Sequence, residues 1–193
     1  MLRPFIIFLI YCFFSDSAPL NASGLFGPNC ESEEEHSKIV KCTTLLLDYN
    51  KKFDILNATD IELNNTKLTG FITLCKETMS CLEPTCFSKT MKDGIYMSCL
   101  YAEFKNTDFS NCINKISKEK PDLSSYNCLE PEDYANGHIE TAALESKPEC
   151  LKIVLEGFCG EQATANFDEN VSKLLGASRL AMEIVPRLNG SSN

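Results

Sequence analysis

The sequence predicts an all-α fold: a disulfide-stapled bundle of five to six short helices. Three observations lead there. Each long segment repeats its apolar residues at steps of three and four, the period of a helix with one buried face. Two alternating runs joined by a tight turn do not occur, so no hairpin is predicted. The chain also carries eleven cysteines in 193 residues. One of them, Cys12, sits in an N-terminal apolar run. The ten that remain are an even number, suited to complete pairing: Cys30, Cys42, Cys75, Cys81, Cys86, Cys99, Cys112, Cys128, Cys150 and Cys159.

The compartment follows from the first residues. Arg3 supplies a positive charge, Phe5 to Phe14 (FIIFLIYCFF) is apolar, and Ser15-Asp16-Ser17-Ala18 offers small residues for cleavage after Ser17. Residues 1–17 therefore read as a secretory signal peptide. The run is too short to span a bilayer, which takes about 20 residues, and the polar end LNGSSN carries no lipid-anchor signal. The expectation is a secreted, extracellular chain without a membrane span. There thiols pair and stay paired. Ten cysteines admit about 945 pairings, so the connectivity stays open. The closest pair is Cys81-x4-Cys86, no CxxC occurs, and His36 and His138 are remote in sequence. That spacing does not suit zinc, and no metal or cofactor is predicted.

Residues 18–29 (APLNASGLFGPN) have no apolar period and read as a flexible lead-in. A cysteine-rich helical domain follows over 30–176, with a helical extension and disordered tail over 177–193. The first helix opens at Ser32-Glu33-Glu34-Glu35, a capping box in which Ser32 accepts from the Glu35 amide and Glu35 reaches back. Its acidic residues, with Glu31, sit at the positive end of the helix dipole. Ile39, Cys42, Leu46, Tyr49 and Phe53 make its apolar stripe. Thr59-Asp60-Ile61-Glu62 is read as a short helical turn. The second helix carries Leu68, Phe71, Ile72, Cys75, Met79 and Leu82, with Cys81 off the stripe and so bonded in another direction. Glu83-Pro84 stops it.

Cys86 begins an elbow, and Asp93-Gly94 marks a turn or a helix cap. Tyr96, Leu100 and Phe104 then recur every four residues, with Ile95 and Cys99 as a second row beside them. Phe109, Cys112, Ile113 and Ile116 give a short helix ending by Pro121. Residues 122–147 are the least regular, and His138 lies there without an evident companion. Ser146-Lys147-Pro148-Glu149 reads as a second capping box. It precedes Cys150, Ile153, Val154, Phe158 and Cys159. After Gly160 the period resumes through Ala163, Phe167, Val171, Leu174 and Leu175 and ends before Pro186.

The net charge of −9 excludes nucleic acid and anionic membrane surfaces, which need a basic face. It fits an extracellular protein that repels its own copies. Glycosylation sequons stand at Asn21, Asn57, Asn64, Asn170 and Asn189. Asn57 and Asn64 are the preferred sites, and Asn170, on a predicted helix, requires an outward face. Catalytic signatures are missing: there is no GxSxG, HExxH, Walker loop or GxGxxG. A Ser or Cys nucleophile needs a nearby base, and neither histidine is well placed in the sequence. Carboxylates for acid–base work are drawn from Glu130, Glu132 and Asp133, or from Asp168 and Glu169. No catalytic residue is predicted.

The order Cys30-x11-Cys42, LCKETMSCLEPTC (Leu74 to Cys86), Cys99, Cys112, Cys128, Cys150 and FCGEQATANFDENVSKLL (Phe158 to Leu175) resembles a nematode-expanded family of secreted cysteine-rich proteins catalogued as domain of unknown function 19. The resemblance covers Cys30 to Leu175. It implies a secreted helical domain and brings no catalytic residues. The function expected is a secreted, disulfide-rich, N-glycosylated extracellular interaction module for an unknown protein or glycan partner. The alternatives are a carrier of a small apolar ligand between helices and, behind it, a secreted hydrolase.

Overall fold

The structure is a computed structural model, and it describes residues 26–27, 30–57 and 63–189. The expected signal peptide, all of the expected lead-in but residues 26 and 27, the sequon at Asn21, the turn expected at Thr59-Asp60-Ile61-Glu62 and residues 190–193 lie outside the described residues. Among those described, seven α-helices occur: α1 (Glu33–Lys52), α2 (Thr66–Leu82), α3 (Lys89–Lys105), α4 (Asp108–Glu119), α5 (Thr141–Ser146), α6 (Pro148–Cys159) and α7 (Phe167–Asn189). Short 3-10 turns stand at Phe53–Asn57, Pro131–Gly137 and Glu161–Ala163. Strand pairing among these residues amounts to an isolated bridge of Phe26 with Phe87. The fold is all-α. It exceeds the expected helix number because Pro148, which lacks an N–H and favours the first turn, starts α6 and separates it from the short α5.

The chain divides into two compact units. The first takes the described residues up to 57, Asn65–Ala102 and Gly176 onward; the second takes Glu103–Leu175 with residues 63 and 64.

In the first unit, Ser32 caps α1 and accepts the Glu35 amide at 3.2 Å. The return half of the box is not made. The Glu35 carboxylate instead accepts from Lys38 Nζ at 2.7 Å and from the Cys86 amide at 2.9 Å. A partner from the elbow fixes a distant segment, which a local contact to Ser32 could not do. Cys42 and Tyr49 turn inward from α1, as do Leu68, Phe71, Cys75 and Leu82 from α2. The Phe71 ring lies 5.2 Å from Tyr49 and 6.4 Å from Phe53. Burial pushes the Tyr49 phenol up, against a hydrogen bond with Ser98 that acts the other way.

Thr78 is fully buried on α2, and its hydroxyl has no hydrogen-bond partner among the described residues. An unmet buried hydroxyl costs about 1–3 kcal/mol. Thr78→Val is therefore expected to raise stability by about 1 kcal/mol, read as a higher urea midpoint at constant m-value. A destabilised variant would show that the hydroxyl is satisfied in solution.

On α3 two expectations change. Asp93 and Gly94 lie inside the helix rather than at a turn. Asp93 accepts from Lys89 Nζ one turn earlier at 2.6 Å, and that pair lies across the helix surface at i,i+4, supporting a continuous helix. The buried row is Ile95, Cys99 and Ala102 with Met97 and Ser98, while Tyr96 is 48% exposed. The second row named from the sequence is thus the inward one in the first unit, while Phe104, from the first row, buries in the second unit.

The second unit packs Phe109 against Phe104 and Phe167, with ring centroids at 5.8 Å and 5.4 Å. Cys112 and Ile116 bury on the same face of α4. Lys120, in left-handed conformation, caps that helix by donating its amide to Ile116. The second capping box is not formed. Ser146 ends α5 and its hydroxyl donates to the Ala142 carbonyl at 2.8 Å, so α6 begins after Lys147 without a side-chain cap. Ile153 is also not a core residue: Cys150, Leu151, Val154 and Leu155 bury, and Ile153 faces out. Finally, α7 continues past Pro186 to Asn189, so residues 187–189 are helical where a disordered tail was expected. Proline's own φ is helical, and near a helix end it removes one backbone bond.

Candidate functional site

The ten cysteines form five bridges: Cys30–Cys86, Cys42–Cys81, Cys75–Cys99, Cys112–Cys159 and Cys128–Cys150, with Cα–Cα distances of 5.3 to 5.8 Å. The first three lie in the first unit and the last two in the second. Cys75 and Cys81, on different faces of α2, reach α3 and α1 respectively. Around Cys86 the elbow is clamped from several sides. The Gly27 amide donates to the Cys86 carbonyl at 2.8 Å, Glu35 holds the Cys86 amide, and Lys92 Nζ donates to the Thr85 and Glu83 carbonyls at 2.6 Å and 3.1 Å. The Lys38 ammonium holds the Glu35 carboxyl below its ordinary range, and Lys38 is in turn pushed up to about 12, chiefly by that same hydrogen bond. These contacts hold the elbow against α1, α3 and the segment at Gly27.

The acid–base candidates separate. Asp133 organises the irregular stretch: its Oδ2 accepts from Lys147 Nζ at 2.7 Å and from the Glu130 amide at 2.7 Å, and its carbonyl accepts from the Glu140 amide at 2.8 Å. The Lys147 ammonium, with the Glu130 amide, holds the Asp133 carboxyl below the usual carboxylate range. It is a fixed anion, unsuited to giving or taking protons near neutrality. A carboxylate lowered on folding stabilises the fold above its unfolded pKa and loses that effect as pH falls through the folded one. Stability is therefore expected to decline below about pH 4. In Asp133→Asn this acid limb should be shallower, measured as urea midpoints against pH. An unchanged limb would remove Asp133 from the account.

His138 is not alone. Its Nδ1 lies 2.8 Å from Ser117 Oγ on α4, a contact across 21 residues that no local spacing could reveal. Both ends of the contact are accessible, and it joins the irregular stretch to α4. His36 is exposed on α1. Among the described residues no group of three or more His, Cys, Asp or Glu side chains can hold a metal ion, and no helix is long and apolar enough to cross a membrane.

Asp168 and Glu169 enter a different setting. They open α7 and, with Glu149, Lys152, Ile153 and Glu156 of α6, line an open groove of about 630 Å³ floored by Phe167. Lys152 bridges its walls, 3.0 Å from Glu149 and 3.4 Å from Asp168, and lies 5.3 Å from the Phe167 ring centroid. Its pKa is raised, first by the hydrogen bond to Glu149 and then by that to Asp168. Glu169 pairs with Lys173 at 2.7 Å. Glu156 makes no ion pair among the described residues, and Ile153 beside it is 60% exposed. The i, i+3, i+4, i+7 spacing of Glu149, Lys152, Ile153 and Glu156 was open to reading as one outward face. The apolar residue within it pointed instead to the core.

The sequons differ in place. Asn64 is exposed, in left-handed conformation before α2, its amide donating to Asn106 Oδ1 at 2.8 Å. Asn57 closes the 3-10 turn and Asn189 closes α7. Asn170 does not have the outward face a glycan requires. It is 5% exposed, and its Nδ2, the atom a glycan would occupy, donates to the Ala165 carbonyl at 3.4 Å.

No curated protein matches the chain, and no solved structure matches it. The family described as Domain of unknown function (DUF19) matches residues 30–179, a span that contains all five bridges, the elbow and the groove, and the chain belongs to that family.

Proposed function

We propose that this DUF19 domain is a secreted, N-glycosylated interaction module that acts outside the cell by binding a protein or glycan partner, without chemistry of its own. The observation that carries the reading is the use of every cysteine from Cys30 onward in a bridge, a state that persists in oxidising surroundings. The bridges stiffen each unit from within, and the α6–α7 groove of the second unit offers a contact surface: an exposed isoleucine, a carboxylate with no ion pair among the described residues and a lysine already neutralised on both sides. Such a surface suits a partner better than it suits a small apolar ligand, because its mouth is open and its rim charged. The Ser117–His138 pair is the feature nearest to a hydrolase. It presents Nδ1 to an accessible hydroxyl, while Glu130 and Asp133, earlier in the same stretch, pair with Lys147.

Expression in a secretory cell line tests this reading. The expected product is exported, begins at Ala18, contains no titratable thiol and loses mass on deglycosylation, with Asn64 among the occupied sites and Asn170 unoccupied. Its partner, recovered from native fluid at fixed stoichiometry, is expected to be retained less by Ile153→Asp and Glu156→Lys. A product that stays in the cytosol, or one with several reactive thiols, overturns the proposal.

A further inference from the structure

We propose that the outward face of α1 is a self-association surface, docking antiparallel on the same face of a second copy of this chain. The face is a single stripe. Val40 and Leu47 stand two turns apart and are 69% and 56% exposed, although both are large apolar side chains. Thr43 and Thr44 lie exposed between them, small enough to let a second helix approach. The opposite side of the same helix buries Cys42 and Tyr49, so the fold already has its core contact from α1 and leaves this stripe uncovered.

The occupant is named by charge. Glu33 lies on the stripe at the N-terminal end and Lys51 at the C-terminal end. Glu33 makes no ion pair among the described residues. Lys51 makes only a 3.6 Å contact with Asp48, and the two side chains are 75% and 49% exposed. A stripe that is acidic at one end, apolar in the middle and basic at the other is complementary to itself when reversed, as an isologous interface requires. Residue 42 is the midpoint of Glu33 and Lys51, and the midpoint of Val40 and Leu47 falls between 43 and 44. One two-fold axis serves both pairs to within about 2 Å at 1.5 Å rise per residue, a mismatch that Glu and Lys side chains span. Antiparallel helices also oppose their dipoles favourably. Asp54, the next charge along, lies past the end of α1 on the 3-10 turn.

The net charge of −9 opposes association at long range, but physiological salt screens it beyond about 8 Å, whereas the Glu33–Lys51 contacts lie inside that distance. One helix face buries less than the roughly 1,200 Å² of a stable interface, so the dimer is weak and concentration-dependent.

Sedimentation of the full exported chain, bridges intact, over a wide concentration range tests this. The wild type is expected to self-associate reversibly. Val40→Glu and Leu47→Glu should each weaken association at least about tenfold, as should Glu33→Lys or Lys51→Glu. All four positions are exposed, so melting temperatures should stay close to wild type. Mixing Glu33→Lys with Lys51→Glu should restore association as a heterodimer, because each reversed charge then meets an opposite one. A wild type that stays monomeric throughout, a dimer indifferent to Val40→Glu, or a mixture that does not recover each overturns the proposal. None of these outcomes depends on whether the α6–α7 groove has a partner.

Discussion

Phe71→Ala is expected to lower the stability of the first unit by about 3–5 kcal/mol. Phe71 is fully buried on α2 and touches the rings of Tyr49 and Phe53, which come from α1 and the turn after it. Removing it takes away the transfer energy of a large side chain and leaves a space. That space is hard to close, because Cys42–Cys81 and Cys75–Cys99 fix α2 against its neighbours on two sides. The measurement is chemical denaturation with the bridges intact, where the midpoint should fall and the m-value should hold. Tyr96→Ala on α3 is the internal comparison. With Tyr96 half exposed, its loss should stay within about 0.5 kcal/mol. Equal costs for the two would place the wrong row of α3 against the core.

Cys75→Ala with Cys99→Ala is expected to cost about 3 kcal/mol. The bridge closes a stretch with a sequence separation of 24, and its main effect is to restrict the unfolded chain. At about 2–4 °C per kcal/mol for a chain of this size, the melting temperature should fall by roughly 10 °C. Both sulfurs lie in the core, at 2% and 7% exposure, so the paired substitution also leaves a small void. Peptide mapping of the unreduced wild type supplies the independent check, with Cys75 and Cys99 expected in one linked fragment. A linked fragment joining Cys75 to any other cysteine would reject the connectivity, and a double variant that melts with the wild type would reject its importance.

The inward stripes on α1, α2 and α4 were legible in the sequence, because each of those helices buries one face along a regular apolar row, although α1 also turns Val40 and Leu47 outward. On α3 and α6 apolar residues occur on more than one row. Tyr96 and Ile153 have the composition of core residues, and only their neighbours show that they face out. The inverse holds for Asp93-Gly94. The pair has turn chemistry, yet Lys89 and the helix on either side keep it helical. Capping was half legible in the same way. Ser32 does cap α1, but Glu35 is drawn to Lys38 and Cys86, and Ser146 to Ala142. Of the sites, the cysteines were countable and their partners were not. Asp168 was nameable as an acid, but its meeting with Lys152, like that of Ser117 with His138, needed the chain to fold back.

The family came from the resemblance of the ordered cysteines and the closing block; from the residues alone came the helical class, the even set of thiols and the sequon positions. These depend on short-range period and on composition, which a linear string records in full. Which cysteine meets which, which of two apolar rows turns inward, and that Asn170 is buried while Ile153 is exposed, were settled only in three dimensions. Such choices depend on distances between segments tens of residues apart, and those distances exist only once the helices have packed.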